Sequence, residues 1–349
     1  MIVASVSCVA IAVALLGTSL GAQSPRITEQ QSPTTKLIQA VHAVNARVLW
    51  ASGHGGVVLR SVDGGAHWEL RPTPAGDSIE FRDVHALDAD TAWIMSAGSG
   101  RASRIYRTAD GGAHWTLQHQ NTDSAAFFDC LTFLDRRIGI VYSDAANGRT
   151  MVLRTADAGA TWSLLPPSAV PAPLTGEGAF AASGLCVVAS DPTHAFIATG
   201  APGARLFRSA DAGRTWRADS TPFVHSATGG LTGLAIKNGS HGIMVAADIA
   251  RLRNDTSSAV VGVTTDAGRT WTMRSRPPLP GALSGVAWVP DAGPEVAVAV
   301  GFGGSFVTND GGRTWQTINN AVFTGVAAVG RTAWIAGANG KIVRLDWEQ

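Results

Sequence analysis

The sequence predicts an all-β chain, folded as a seven-bladed β-propeller of four-stranded antiparallel blades. Three observations predict it. The pattern Ser/Thr-x-Asp-x-Gly-x-x-Trp recurs six times, with its aspartates at 63, 110, 157, 211, 266 and 310, at intervals of 47, 47, 54, 55 and 44 residues. That interval is the length of a four-stranded propeller blade. After Ala22 no stretch sustains a 3.6-residue apolar period, and the apolar residues come in short runs bounded by Asp and Gly turns. Beyond the sixth copy, residues 323–329, 332–336 and 341–345 repeat the first three strands of a blade, with Trp334 in the place of Trp50 and Trp93, and Arg344 in that of Arg60 and Arg107.

Composition agrees. The chain has 349 residues, 45% apolar and 15% charged, with 27 Lys+Arg against 26 Asp+Glu. A disordered chain and a disulfide-stapled mini-fold are excluded. The formal charge of +1 gives no global reason to expect nucleic acid. Forty Gly, and 11 Trp beside 2 Tyr, are what a repeat demanding both Gly and Trp leaves behind.

In chain order, residues 1–21 carry no charge and are almost wholly apolar or small. They read as a secretory signal peptide, residues 1–22, cut near Ala22; the missing basic start leaves an uncleaved anchor as the alternative. Either way the protein is expected in the periplasm or secreted. Residues 23–349 form one domain, with blades over roughly 37–75, 79–120, 125–166, 178–219, 224–275, 281–318 and 321–347. The last blade lacks a fourth strand, and residues 25–31 are otherwise unemployed, so they are expected to close the ring and cover its open edge.

Blade 2 illustrates the parse: strands over 81–87, 91–96, 104–108 and 115–118, with the motif at the third-to-fourth-strand turn. In that motif the aspartates Asp63, Asp110, Asp157, Asp211, Asp266 and Asp310 accept turn N–H groups, and the Gly supplies a conformation closed to residues with a Cβ. Trp68, Trp115, Trp162, Trp216, Trp271 and Trp315 open the next strand and bury their rings between blades. These are Asp-boxes, also called BNR repeats, and their role is structural. His67 and His114 sit inside boxes where other copies carry Thr.

Cys130 and Cys186 each lie five residues before an equivalent Asp (Asp135, Asp191), at one height of adjacent innermost strands. They are either a disulfide stapling two blades, if the strands approach within about 7 Å, or two small buried thiols. No H-x-x-x-H or C-x-x-C pair and no phosphate-cradling Gly loop occurs, so no metal or cofactor is expected.

On the boxes and the Trp50–Trp68 and Trp334–Arg344 stretches, residues 25–347 resemble the photosystem II stability/assembly factor family. The resemblance implies a seven-bladed propeller acting as a non-enzymatic scaffold that holds a membrane-protein client. Two other Asp-box families are the alternative, a sialidase-like or xyloglucanase-like glycoside hydrolase. Such an enzyme needs two carboxylates facing each other about 5–10 Å apart. The candidates on the face opposite the boxes are Glu80, Asp83, Asp129 and Glu177.

That face carries the second-to-third-strand loops, which place Arg101, Arg104, Arg149, Arg205, Arg251, Arg253 and Lys341 on one rim. The blade connections add Phe127, Phe128, Phe180, Phe223 and Phe323. The expectation is a monomer with a basic, aromatic-lined bowl for a protein or acidic peptide, with an anionic glycan as the alternative ligand.

Overall fold

The computed structural model describes residues 24–74 and 78–348; the leader expected over residues 1–22 lies outside them. Seven four-stranded antiparallel sheets follow one another around a ring, a seven-bladed β-propeller, and the first strand of each packs against the first strands of its neighbours. Among the described residues there is no α-helix. Six sheets are built of four consecutive strands. In the seventh, the outermost strand is Arg26–Gln30, paired with Ile342–Asp346 so that Arg26 faces Asp346 and Gln30 faces Ile342.

Each blade is covered on both faces by its neighbours, so the second strands lose the usual alternation of apolar and polar residues. Leu49–Gly53, Ala92–Ser96, Ala195–Ala198, Ala297–Gly301 and Thr332–Gly337 are buried at every position. Trp50, Trp93 and Trp334 on these strands are the largest fully buried side chains. Two of them tie blades together: Trp50 Nε1 donates to Asp88 O and Trp334 Nε1 to Gly64 O, both at 3.1 Å. The box tryptophans are less deeply placed than expected. Trp68 and Trp216 are buried, while Trp115, Trp162, Trp271 and Trp315 are half-buried. The reason lies in the turn, where the Trp ring lies over the box Gly, as Trp115 does over Gly112.

All six boxes close the same way. The Ser/Thr Oγ accepts the Gly N–H at 2.8–2.9 Å. The Asp Oδ1 accepts the N–H four residues on at 2.9–3.0 Å. Its Oδ2 meets the side chain of that residue, His67, His114 or a Thr. The N–H of His67 and then its ring hold the Asp63 carboxyl down at about 2.

The innermost strands share a second device. In six blades the pairing of first and second strands slips by one residue at an equivalent place, a β-bulge. The bulged residues are Gln39, Arg82, Asp129, Thr232, Ser284 and Thr324. The residue after each is Ala40, Asp83, Cys130, Gly233, Gly285 or Gly325. These following positions mark the closest approach of neighbouring strands. A Cβ on Gly233 would stand 2.9 Å from Gly285 Cα, and one on Gly325 would stand 3.0 Å from Val41 N. At the same level Cys130 and Cys186 are disulfide-bonded with Cα atoms 5.8 Å apart, inside the range a bridge needs. In blade 2 that position holds Asp83, which accepts the N–H groups of Val84 (2.7 Å) and of Leu131 in blade 3 (2.6 Å).

Blade 4 departs from the rule. Its first strand is only Val187–Ala189 and has no bulge. The preceding residues 177–186 leave the sheet and cross the middle of the ring. Ala179 N donates to Asp144 Oδ1 of blade 3 at 3.2 Å, Arg82 of blade 2 donates to Ala181 O at 3.4 Å, and Gln39 of blade 1 donates to Ala182 O. Further along, Leu234 N of blade 5 donates to Leu185 O at 3.1 Å. Four blades thus hold one plug, and its Gly and Ala residues are what the crowding permits. Gly178 lies against the Asp144 carboxyl and Gly184, at φ +78°, against that of Asp83.

Candidate binding site

A cavity of about 410 Å³ opens on the face opposite the boxes, above the plug. All six bulged residues line it: Gln39, Arg82, Asp129, Thr232, Ser284 and Thr324. A bulge re-aims a side chain that the pleat would otherwise send elsewhere, and here the fold does so once per blade. The apolar part of the wall comes from the plug and the loops. Phe127, Phe180 and Phe302 are half-buried in it, and Ile249 and Leu252 are exposed at its mouth on the long loop of blade 5.

Five of the six bulged side chains spend their polar atoms on the protein. Thr324 Oγ1 donates to Ile38 O at 2.7 Å, Ser284 Oγ to Phe323 O at 3.1 Å, and Thr232 Oγ1 to Val245 O at 3.3 Å. Gln39 holds the plug and meets His54 Nε2 at 3.0 Å. Arg82 grips Glu80 through Nε (3.0 Å) and Nη2 (2.6 Å). Asp129 is the exception. It is 1% exposed, and its Oδ2 has no donor against it. Its carboxyl lies within hydrogen-bonding reach of that of Asp144. Burial, then the Asp144 charge, pushes Asp129 well above the carboxylate range; burial also raises Asp144, against the Ala179 N–H.

The seven rim cations lie outside this cavity. Arg205 is clamped by the buried Glu177, its Nε at 2.7 Å. Lys341 Nζ meets Glu29 at 2.7 Å, and Arg251 Nε meets Asp248 at 3.4 Å. Arg104 donates to Arg101 O, and Arg101 to Gln120 Oε1. Arg149 and Arg253 are exposed. Of the five phenylalanines expected in the bowl, Phe127 and Phe180 line the cavity, while Phe128, Phe223 and Phe323 are core. Among the enzyme candidates, Glu80 and Glu177 are held by arginines, Asp83 is tied to backbone N–H groups, and Asp129 alone faces the cavity.

Asp144, Arg82 and Phe302 were not singled out as ligand contacts from the sequence. A usable signal exists: six of the seven inner strands carry a large apolar residue, then a variable polar one, then a small or tightly tied one, as in Leu231-Thr232-Gly233 and Phe323-Thr324-Gly325. A larger cleft of about 740 Å³ opens on the box face between blades 4 and 5, but Ser209, Asp211 and Asp266 in its wall are already committed to turns.

No family model and no curated protein matches the sequence. Solved structures do. YCF48 bound to D1 peptide superposes with a TM-score of 0.66 at 16% identity, covering 92% of this chain and 97% of that one. YCF48 from Cyanidioschyzon merolae gives 0.65 at 15%, covering 92% and 98%. The GH74 xyloglucanase from Xanthomonas campestris gives 0.61 at 15%, over 91% of this chain and 53% of that one, so the chain spans about half of that enzyme. At such identities the likeness is one of fold, a ring of seven four-stranded blades shared by binding proteins and enzymes alike.

Proposed function

We propose that the chain is a non-catalytic scaffold, acting outside the cytoplasm, that holds a peptide segment of a client protein in the central cavity. The observation that carries this reading is the cavity itself: an apolar wall of three half-buried phenyl rings, two exposed aliphatic side chains at its mouth, and a polar floor. Mixed pockets of that kind suit an extended chain with alternating side chains. The complex of YCF48 with a D1 peptide supports it by analogy of fold. The buried Cys130–Cys186 disulfide supports an oxidising compartment. A client among membrane proteins, as for assembly factors, is part of the proposal.

The test is selection from a displayed library of random peptides against the folded chain and against Leu252→Asp. Binders that the wild type retains and Leu252→Asp loses are expected. An empty selection, or binders indifferent to the substitution, overturns the reading.

Glycoside hydrolysis has one observation in its favour, two carboxyl groups in one cavity. Asp129 and Asp144 lie within hydrogen-bonding reach of each other, however, where a glycosidase pair stands about 5–10 Å apart. Release of reducing sugar from xyloglucan, abolished by Asp129→Asn, would favour this second reading over the first.

A further inference from the structure

We propose that the cavity takes a cationic side chain, lysine or arginine, of the bound peptide, with the Asp129–Asp144 pair as its acceptor and the phenyl rings of Phe127, Phe180 and Phe302 around it. This rests on the peptide-binding reading and sharpens it. It also reverses the charge of the partner that the rim arginines suggested.

Three observations carry the inference. The first is the unused acceptor. Of six side chains turned toward the axis by the bulges, Asp129 alone has an oxygen, Oδ2, that accepts no hydrogen bond from an N–H or hydroxyl of the protein. A buried acceptor left unmade is costly, and a ligand donor removes that cost.

The second is the charge around it. Arg82 is the one cation lining the cavity among the described residues, and Glu80 neutralises it at 2.6 Å. Behind the pair, Glu177 and Arg205 cancel each other, and the Tyr142 phenol is buried and neutral. What remains is the pair of carboxyl groups of Asp129 and Asp144, both in the cavity wall. An acidic ligand would meet both at close range. A basic one would supply a positive charge beside both carboxyls, and any proton they hold would leave to solvent.

The third is the wall. Aromatic faces attract ammonium and guanidinium groups, and the effect grows where water is excluded. The aliphatic stem of a lysine or arginine suits the apolar mouth formed by Ile249 and Leu252.

The experiment extends the selection above. Binders from the random library are sequenced, and the affinity of the leading ones is measured for wild type and Asp144→Asn. Enrichment of Lys or Arg at one position is expected, with binding weakened about tenfold to a hundredfold by Asp144→Asn, the range of a buried bond to a charged group. Folding of the variant is checked by its melting temperature. As a measurement free of mutation, n-butylammonium chloride should displace the selected peptides from wild type, and sodium butyrate should not. Binders enriched in Asp or Glu, binders indifferent to both Asp144→Asn and butylammonium, or displacement by butyrate would overturn the inference and leave peptide binding intact. An empty selection would overturn the peptide-binding reading itself.

Discussion

The two faces of the ring use the same strategy and differ in what they keep constant. On the box face one backbone shape recurs six times with the same side chains, because the side chains make the turn: Ser/Thr Oγ and Asp Oδ1 bind groups within four residues of themselves. On the opposite face one backbone shape, the bulge, also recurs six times, yet its residues are Gln, Arg, Asp, Thr, Ser and Thr. There the backbone and the small residue that follows make the geometry, and the bulged side chain is left free to vary. A repeat of the first kind holds the fold. A repeat of the second kind supplies a differentiated site.

If that division is right, box-side and inter-blade substitutions move stability, while cavity substitutions move binding. The largest effect belongs to Trp334→Ala, which empties a fully buried site between blades 7 and 1 and should cost about 3–5 kcal/mol in equilibrium denaturation. Replacing Cys130 and Cys186 together by Ala opens a 56-residue loop and should cost about 3–4 kcal/mol. Because the bridge also pins the plug, this pair is the one inter-blade change that should weaken the selected peptides too.

Asp83 sharpens the comparison through pH. Burial, against the N–H groups of Leu131 and Val84, raises its carboxyl from 3.8 to about 8. Between these values the unfolded chain has lost a proton that the folded chain keeps, so stability falls as pH rises from about 4 to 8 and is level above. The buried His42, lowered to about 4 by desolvation, works in the opposite sense below its ordinary 6.5. The readout is therefore a difference. Asp83→Asn loses one backbone bond at every pH, but the gap between it and wild type should narrow by on the order of 4 kcal/mol from pH 5 to 8. A constant gap would show that Asp83 is ionised in the fold.

Asp310→Ala should cost about 1–2 kcal/mol by freeing the Thr314 N–H and hydroxyl, with peptide binding unchanged; lost binding would break the division of labour between the faces. The smallest effect is a gain. Ala267 holds a left-handed conformation at φ +59° where three of the boxes carry Gly (Gly64, Gly111 and Gly311), so Ala267→Gly should stabilise by roughly 0.5 kcal/mol.

This division also explains what the sequence disclosed. The boxes were legible because their side chains are their mechanism, and blade count followed from Trp334 and Arg344 standing where Trp50 and Arg60 stand. Asp129 was legible as an acid on the face opposite the boxes. Asp144, its partner, was not, since the pair forms between the first and second strands of blade 3 and no local spacing marks it. The rim cations lie outside the cavity for a physical reason: loop position gives the face of the ring, but not whether a neighbour such as Glu177 or Glu29 has already taken the charge. The plug was invisible because Gly178, Ala179 and Gly184 are small for the sake of distant carboxylates.

The closing strand carries a kinetic consequence. Every box shuts within four residues, whereas the contact of Arg26 with Asp346 joins residues 320 apart. The chain entropy of closing such a loop is about 5 kcal/mol beyond the constant term, and none of it is recovered until the ring is nearly complete. Closure is therefore the late step of folding. Until it occurs, blade 7 exposes the free edge of Ile342–Asp346, and the Arg26–Gln30 segment of a second molecule can fill it as well as the chain's own. Refolding yield of the monomer should thus fall with protein concentration, and dilution during refolding decides whether a ring closes on itself or on its neighbour.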